Sequence, residues 1–279
     1  MNKVTIGFIG QVWLGKHLAD EIEQRGYDTV RYSKEEPYSL NKDRIRECDI
    51  VFVAVPTPTT PDGYDASILR TVLPLVGNGN IAVLKSTIYP GLTKKLQQEF
   101  SDLIILHCPE FLSEATASYD VAHPFINIVG MAQESPKHRQ AAELLLDVLP
   151  ETPYASIVSS EEAELIKYAH NCSGYTQIIF FNIMYDLAQQ LGANWHNIES
   201  ALKADPFIPT RYASPIHKSG RGAGGHCFPK DFEALIRSYR EHVEDALGLK
   251  VLESNRDKNI ELLKQSGKDA DIVKGVYNI

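Results

Sequence analysis

The feature that most restricts the fold of this chain is a rhythm in its first half. Short β-branched runs, Val4 to Ile9, Thr29 to Tyr32, Ile50 to Val55, Ile81 to Leu84 and Leu103 to His107, alternate with stretches of helical character. That alternation belongs to a parallel sheet whose strands are joined through helices. The run Ile50-Val51-Phe52-Val53-Ala54-Val55 is apolar throughout, as a strand covered on both faces requires. A doubly wound, Rossmann-like α/β domain over residues 1–158 follows. Asp65 suits the cap of a helix opening at Ala66, and Gly26 and Gly192 stand where helices should stop.

From Ser159 the pattern changes. Ser159-x-x-Glu162 is a capping box, and no proline interrupts the stretch from there to Gly192, so one long helix is predicted. Further helices are predicted around Trp195 to Lys203, Lys230 to Leu247 and Leu249 to Gln265, with a Pro/Gly-rich segment from Pro206 to Gly225 between them. Residues 159–279 therefore read as an all-helical domain. A long apolar-rich helix in so small a domain calls for a partner surface, which predicts a homodimer through Ser160 to Leu191 with Phe180, Phe181 and Met184 at its seam.

The bulk properties narrow the partners. With 279 residues and 43% hydrophobic content the chain can bury an ordinary core, and its net charge of −8 is spread along the sequence. Neither nucleic acid nor an anionic membrane surface finds a basic patch, and no apolar run is long enough to span a bilayer. The interrupted start, Met1 to Gly10, does not read as a signal peptide, so a cytoplasmic protein is expected. Cys48, Cys108, Cys172 and Cys227 lie far apart without a C-x-x-C pair, so four free thiols and no metal site are expected.

Several motifs fall where such a sheet binds ligands. Gly10-Gln11-Val12-Trp13-Leu14-Gly15 follows the first strand and opens the first helix, the place of a glycine turn against a dinucleotide pyrophosphate. Val12 stands where the middle glycine of G-x-G-x-x-G would be, and a tight turn with no ligand would fit the same residues. Ser33 replaces the usual ribose-binding carboxylate after the second strand, and Arg31 and Lys34 beside it leave NADP open as well as NAD. Val55-Pro56-Thr57-Pro58 and Lys85-Ser86-Thr87 close two core strands at the carboxyl edge of the sheet, and Pro109-Glu110-Phe111-Leu112-Ser113-Glu114 follows the fifth strand. Lys167 and Asn171, spaced i, i+4, share one face of the long helix and can hold one oxygen between an ammonium and an amide. The stretch Gly220-Arg221-Gly222-Ala223-Gly224-Gly225-His226-Cys227-Phe228-Pro229-Lys230-Asp231 leads a cysteine to a helix start, where amides and Lys230 favour thiolate and Asp231 can polarise water.

Taken in order, V-P-T-P, K-S-T, P-E-F-L-x-E, E-L-I-K-Y-A-x-N and G-G-x-C-F-P-K-D resemble the UDP-glucose and GDP-mannose dehydrogenase family, from residue 3 to about residue 265. The resemblance implies double oxidation of a nucleotide-sugar primary alcohol by NAD, through a thiohemiacetal and a thioester on Cys227. It implies that Lys167 and Asn171 steady the oxyanion, each fixed donor contributing roughly 3 kcal/mol. Asp231 would deprotonate water or alcohol, and Glu110 and Thr87 would serve the hydrolytic water. Gly10 to Gly15, Ser33, Val55, Thr57, Ser86 and Glu114 would hold the cofactor. Phe111, Leu112, Arg211, Gly224 and Gly225, with Lys167 and Asn171, would meet the sugar nucleotide.

Four departures accompany the resemblance. The family's third domain is missing, which leaves open a truncation or a separate chain supplying it. The D-x-R-I motif reads Asp205-Pro206-Phe207-Ile208, with Arg211 four positions on. The stretch between the second strand and Ile50 is short, and Val12 and Ser33 alter the cofactor turn. Two other readings stand beside the first: a two-electron β-hydroxyacid-type dehydrogenase using Lys167 as acid and base, and a catalytically degenerate nucleotide-binding relative.

Overall fold

The apolar runs of the first half become strands of one sheet, whose inner members are buried on both sides. The computed structural model describes residues 4–60, 63–113, 115–218 and 220–277. The chain forms two compact units, Met1–Thr57 with Asp65–Lys167, and Pro58–Tyr64 with Tyr168–Ile279. The first unit opens with β1 (Thr5–Ile9), α1 (Leu14–Gln24), β2 (Asp28–Tyr32) and β3 (Ile50–Val53). A two-residue pairing of β4 (Thr59–Thr60) with β5 (Gly63–Tyr64) belongs to the second unit. The first then continues with α2 (Ser67–Val72), β6 (Ile81–Leu84), α3 (Leu92–Glu99), β7 (Ile104–His107) and α4 (Ala117–Ala122). It closes with β8 (Asn127–Met131), α5 (Pro136–Val148) and β9 (Ala155–Ser159), followed by the start of α6 (Ser160–Gln190).

The seven-stranded sheet has the order β2-β1-β3-β6-β7-β8-β9, and among its described pairings only β7–β8 is antiparallel. The doubly wound α/β class is the predicted one, while β8 and β9 extend the sheet beyond the five expected runs. Register explains the burial. Ile6, Ile50, Ile81 and Ile104 line up across four strands, as do Phe8, Phe52, Val83 and Leu106, and all face one core with Leu18 and Ile22 of α1 and Leu145 of α5. Residues of opposite parity, Val51, Val53, Ala82, Leu84 and Ile105, are equally buried, so both faces are covered. The chain runs outward from β1 to β2 and resumes at β3 on the other side of β1. The carboxyl ends of β1 and β3 are therefore the switch point where sheets of this kind leave a crevice.

Strand β2 is a sheet edge. A 3-10 helix over Ser39–Glu47 packs along it, and Asn41 Nδ2 donates to the Arg31 carbonyl at 2.9 Å. Arg31 does not reach into solvent: it is 8% exposed and pairs with Asp20 at 2.6 Å and Glu23 at 2.7 Å on α1.

The helix-entry signals act as read, since Asp65 Oδ1 accepts from Ser67 N at 2.8 Å and the Ser159–Glu162 box closes in both directions, at 2.7 and 3.3 Å. Two residues past that box, Glu164 is fully buried. Its carboxylate accepts from Gly91 N at 2.5 Å, Thr93 N at 2.9 Å and Thr93 Oγ1 at 2.5 Å, tying α6 to the start of α3. Burial nonetheless raises its pKa to about 7, against the pull of those three donors. A folded pKa above the unfolded one means that this group's stabilisation is complete below about 4.5 and is lost as pH rises through 7. From pH 5 to pH 8 the wild type is expected to lose stability relative to Glu164→Gln by up to about 3 kcal/mol. Urea titrations of both proteins at the two pH values check this, and a constant difference would show Glu164 ionised throughout.

The second unit contains the remainder of α6, then α7 (Trp195–Ala204), β10 (Ile216–His217), β11 (Gly220–Arg221), α8 (Phe228–His242), α9 (Ala246–Ser266) and α10 (Ala270–Tyr277). Tyr175 of α6 stacks on Phe232 of α8 at 3.9 Å between ring centroids, within a core that includes Tyr168, Ile179, Ile236 and Leu262. Phe180 and Met184 are exposed on α6, but Phe181 is buried with Ala188 and Trp195 in its own unit, which corrects its expected place at a dimer seam. Among the described residues no helix is long and apolar enough to cross a membrane.

Candidate functional site

In the N-terminal unit the glycine turn lies at the switch point. Gly10 has φ +94°, and a Cβ there would stand 2.2 Å from the Ala54 carbonyl oxygen; a Cβ on Gly15 would stand 1.8 Å from that of Gly10. Gln11 braces the turn, its Nε2 donating to Gly10 O at 3.1 Å and Gly15 O at 3.4 Å. Val12 is 84% exposed, so its side chain lies mostly in solvent. Trp13 and Leu14 open α1, whose N-terminus has no side-chain cap. An uncapped helix start behind a turn that only glycine can make fits the pyrophosphate of a dinucleotide. Ser33 donates to Glu35 O at 2.8 Å. Of the two cations expected near a 2′-phosphate, Arg31 is taken up by Asp20 and Glu23, while Lys34 is exposed.

The loops at the carboxyl edge are stapled by their hydroxyls. Ser86 Oγ donates to Val55 O at 2.6 Å and accepts from Val55 N at 3.2 Å, and Thr57 Oγ1 donates to Thr87 O at 2.8 Å. Next to them lies a buried charged cluster. The Lys85 ammonium, at the end of β6, pairs with the Glu110 carboxylate and donates to Cys108 Sγ at 3.3 Å. Lys167 Nζ donates to the Glu110 carbonyl at 2.6 Å and sits 5.4 Å from the centre of the Phe111 ring. Burial alone would lower the Lys85 pKa, but Cys108 and Glu110 outweigh it and raise it. Burial, together with the charges of Lys85 and Lys167, takes His107 down to about 3, so the ring beneath the cluster is neutral. Phe111 is buried with Ile128 and Ala163, and Leu112 packs against the sheet core. Glu114 lies outside the described residues.

The helical unit carries the thiol. Cys227 is exposed and occupies the N-cap of α8, whereas Cys48, Cys108 and Cys172 are buried. One turn on, Asp231 is 1% exposed, donates its backbone N–H to Cys227 O at 2.9 Å, and is held by Asn171 Nδ2 at 2.6 Å and Lys230 Nζ at 3.0 Å. Gly225, with φ +76°, donates to Asp269 Oδ2. Arg211 is exposed and lies over the Tyr212 ring at 5.8 Å. Arg221 is structural, bound to Asn182 and Asp186 of α6. The fold thus joins Lys167 to Glu110, and Asn171 to Asp231 near Cys227. Lys85, the first letter of K-S-T, had no assigned part in the sequence; a lysine closing a buried strand was the available signal. Among the described residues no His, Cys, Asp and Glu group is arranged to hold a metal ion.

Comparison with known proteins gives two family models. Residues 21–147 match the NAD binding domain, and residues 161–260 the central domain, of the UDP-glucose/GDP-mannose dehydrogenase family. The UDP-glucose 6-dehydrogenase YwqF of Bacillus subtilis is 31% identical over 208 residues, 69% of this chain and 45% of that protein. A UDP-glucose 6-dehydrogenase of Pseudomonas aeruginosa is 30% identical over 234 residues, 78% of this chain and 51% of the relative. The chain spans about half the length of the curated relatives it matches. Among solved structures, a UDP-glucose dehydrogenase from Pyrobaculum islandicum superposes with TM-score 0.79 at 24% identity, over 95% of this chain and 71% of that one. A 3-hydroxyisobutyrate dehydrogenase from Mycobacterium tuberculosis does so with TM-score 0.74 at 14% identity, over 99% of both chains. These two likenesses concern the fold.

Proposed function

Because this chain belongs to the UDP-glucose/GDP-mannose dehydrogenase family, with that family's NAD-binding domain at its N-terminal end, we propose that it oxidises a nucleotide-sugar primary alcohol to a carboxylate. The observation that carries the reading is an exposed thiol at the start of α8 with a buried, doubly held carboxylate one turn behind it. Two NAD molecules in turn would each accept one hydride. The amides of the helix start favour the Cys227 thiolate, which adds to the aldehyde carbon and later carries the acyl group as a thioester. Lys167 and Asn171, adjacent turns of α6, donate to the oxygen on which charge builds. Asn171 holds one oxygen of Asp231, while the other lies near Lys230 with no hydrogen-bond donor on it among the described residues, which leaves that oxygen to take a proton from alcohol or water. Glu110, held through Lys85, and Thr87 serve the hydrolytic water. Phe111, Leu112, Arg211, Gly224 and Gly225 contact the sugar nucleotide. The loss of Arg31 to its ion pairs supports NAD over NADP.

Incubation with UDP-glucose and NAD, with the acid quantified by chromatography, tests the reading. Two NADH per acid are expected. One NADH per substrate would transfer the reading to two-electron alcohol oxidation, and no NADH with either UDP-glucose or GDP-mannose would remove it.

A further inference from the structure

The backbone ahead of Cys227 is held almost residue by residue from one place, the end of α9 and the turn behind it. Arg221 N donates to Ser266 Oγ at 3.1 Å, and Lys268 Nζ donates to Gly222 O at 2.9 Å. Asn259 binds both sides of the Ala223 peptide, accepting from its N–H at 2.6 Å and donating to its carbonyl at 2.9 Å. Gly225 N donates to Asp269 Oδ2 at 2.8 Å. Asn259 and Lys268 are both buried, so these contacts form away from bulk water. The same side chains occupy the space in front of the glycines. A Cβ on Gly224 would lie 1.9 Å from Asp269 Oδ2, and one on Gly220 would lie 2.6 Å from Ser266 Oγ. Asp269 itself has φ +52°, a left-handed conformation that aspartate and asparagine adopt more readily than other side chains. Ser266, Lys268 and Asp269 all lie past residue 260, where the central-domain match ends.

We propose that Asp269, supported by Lys268, is a positioning residue for Cys227. By fixing the Gly225 amide two residues before the thiol, it sets how Sγ meets the first turn of α8. At Gly220, Gly222 and Gly224 this clamp fills the space a side chain would take, whereas Gly225 is suited to glycine by its φ of +76°. The proposal rests on the reading of Cys227 as the nucleophile, but its test needs no substrate.

The chain of 279 residues is treated with iodoacetamide across a pH series, and alkylation of Cys227 is followed by peptide mass mapping. Asp269→Asn keeps both the acceptor oxygen and the tolerance of positive φ, and should retain the wild-type rate and pH profile. Asp269→Gly keeps the backbone conformation but removes the acceptor. Its profile should move to higher pH, with the rate at pH 7 falling roughly three- to tenfold as the thiol leaves the helix terminus that favours thiolate. Gly224→Ala leaves Asp269 in the sequence while driving its carboxylate off Gly225, and should give the same shift even if Asp269→Gly does not fold. An unmoved profile in whichever of Asp269→Gly and Gly224→Ala folds overturns the proposal. An Asp269→Asn profile displaced as far as that of Asp269→Gly does so too. A clamp effect in a protein that leaves UDP-glucose and GDP-mannose untouched would remove the assigned reaction while the clamp stands.

Discussion

Replacing Cys227 by alanine is expected to lower carboxylate formation at least about a thousandfold, the usual scale for losing a covalent nucleophile. No other thiol can take over, since Cys48, Cys108 and Cys172 are buried within the fold. Cys227→Ser should be more informative. Its hydroxyl is a far weaker nucleophile toward an aldehyde than a thiolate, so the first oxidation should proceed and the sugar should stall before the acid. Asp231→Asn keeps the side chain's size and one acceptor oxygen but removes the base. A substrate-derived thioester should then accumulate on Cys227 and be seen by mass spectrometry. Full turnover in Cys227→Ala, or an adduct on another cysteine, would end the double-oxidation mechanism and favour the two-electron reading through Lys167.

The second large effect is structural. In Gly15→Ala the added carbon would fall 1.8 Å from a backbone oxygen that cannot swing away as a side chain could. The strand-to-helix turn must open, at a cost of about 1–3 kcal/mol or more. If the displaced amides are those proposed to meet the pyrophosphate, NAD affinity should fall more steeply than stability. Calorimetric titration of the variant at a temperature where it remains folded separates the two, and NAD binding of wild-type strength would show that the turn is not the cofactor's cradle.

How much of this was legible follows from which interactions are local. Strands β1, β3, β6 and β7 could be read because burial on both faces leaves them almost wholly apolar, and the edge strand β2 because its Thr29, Val30 and Tyr32 carry strand character. β9 could not, since Ala155–Ser159 is a sheet edge with partial exposure, and β8 could not, because the glycine within Asn127–Met131 dilutes strand character. The caps at Asp65 and Ser159 were legible because both partners lie within three residues. The fate of Arg31 was not: its partners sit on the preceding helix, and only tertiary packing turns an apparent phosphate-binding cation into a buried ion pair. Cys227 and Asp231 were visible as a motif, whereas Lys85 beside Glu110 and Asp269 beside Gly225 arise from contacts between distant segments.

The short stretch between β2 and β3 has one more consequence. A sheet that ends on a bare strand offers its row of backbone donors and acceptors to any passing polypeptide, the first step of strand-to-strand self-association. Here the side-chain amide of Asn41 occupies the Arg31 carbonyl and the 3-10 helix lies along the strand. Nine residues of tight helix thus close an edge that another strand would otherwise have to cover, and protect the protein in solution from growing its sheet into a neighbour's.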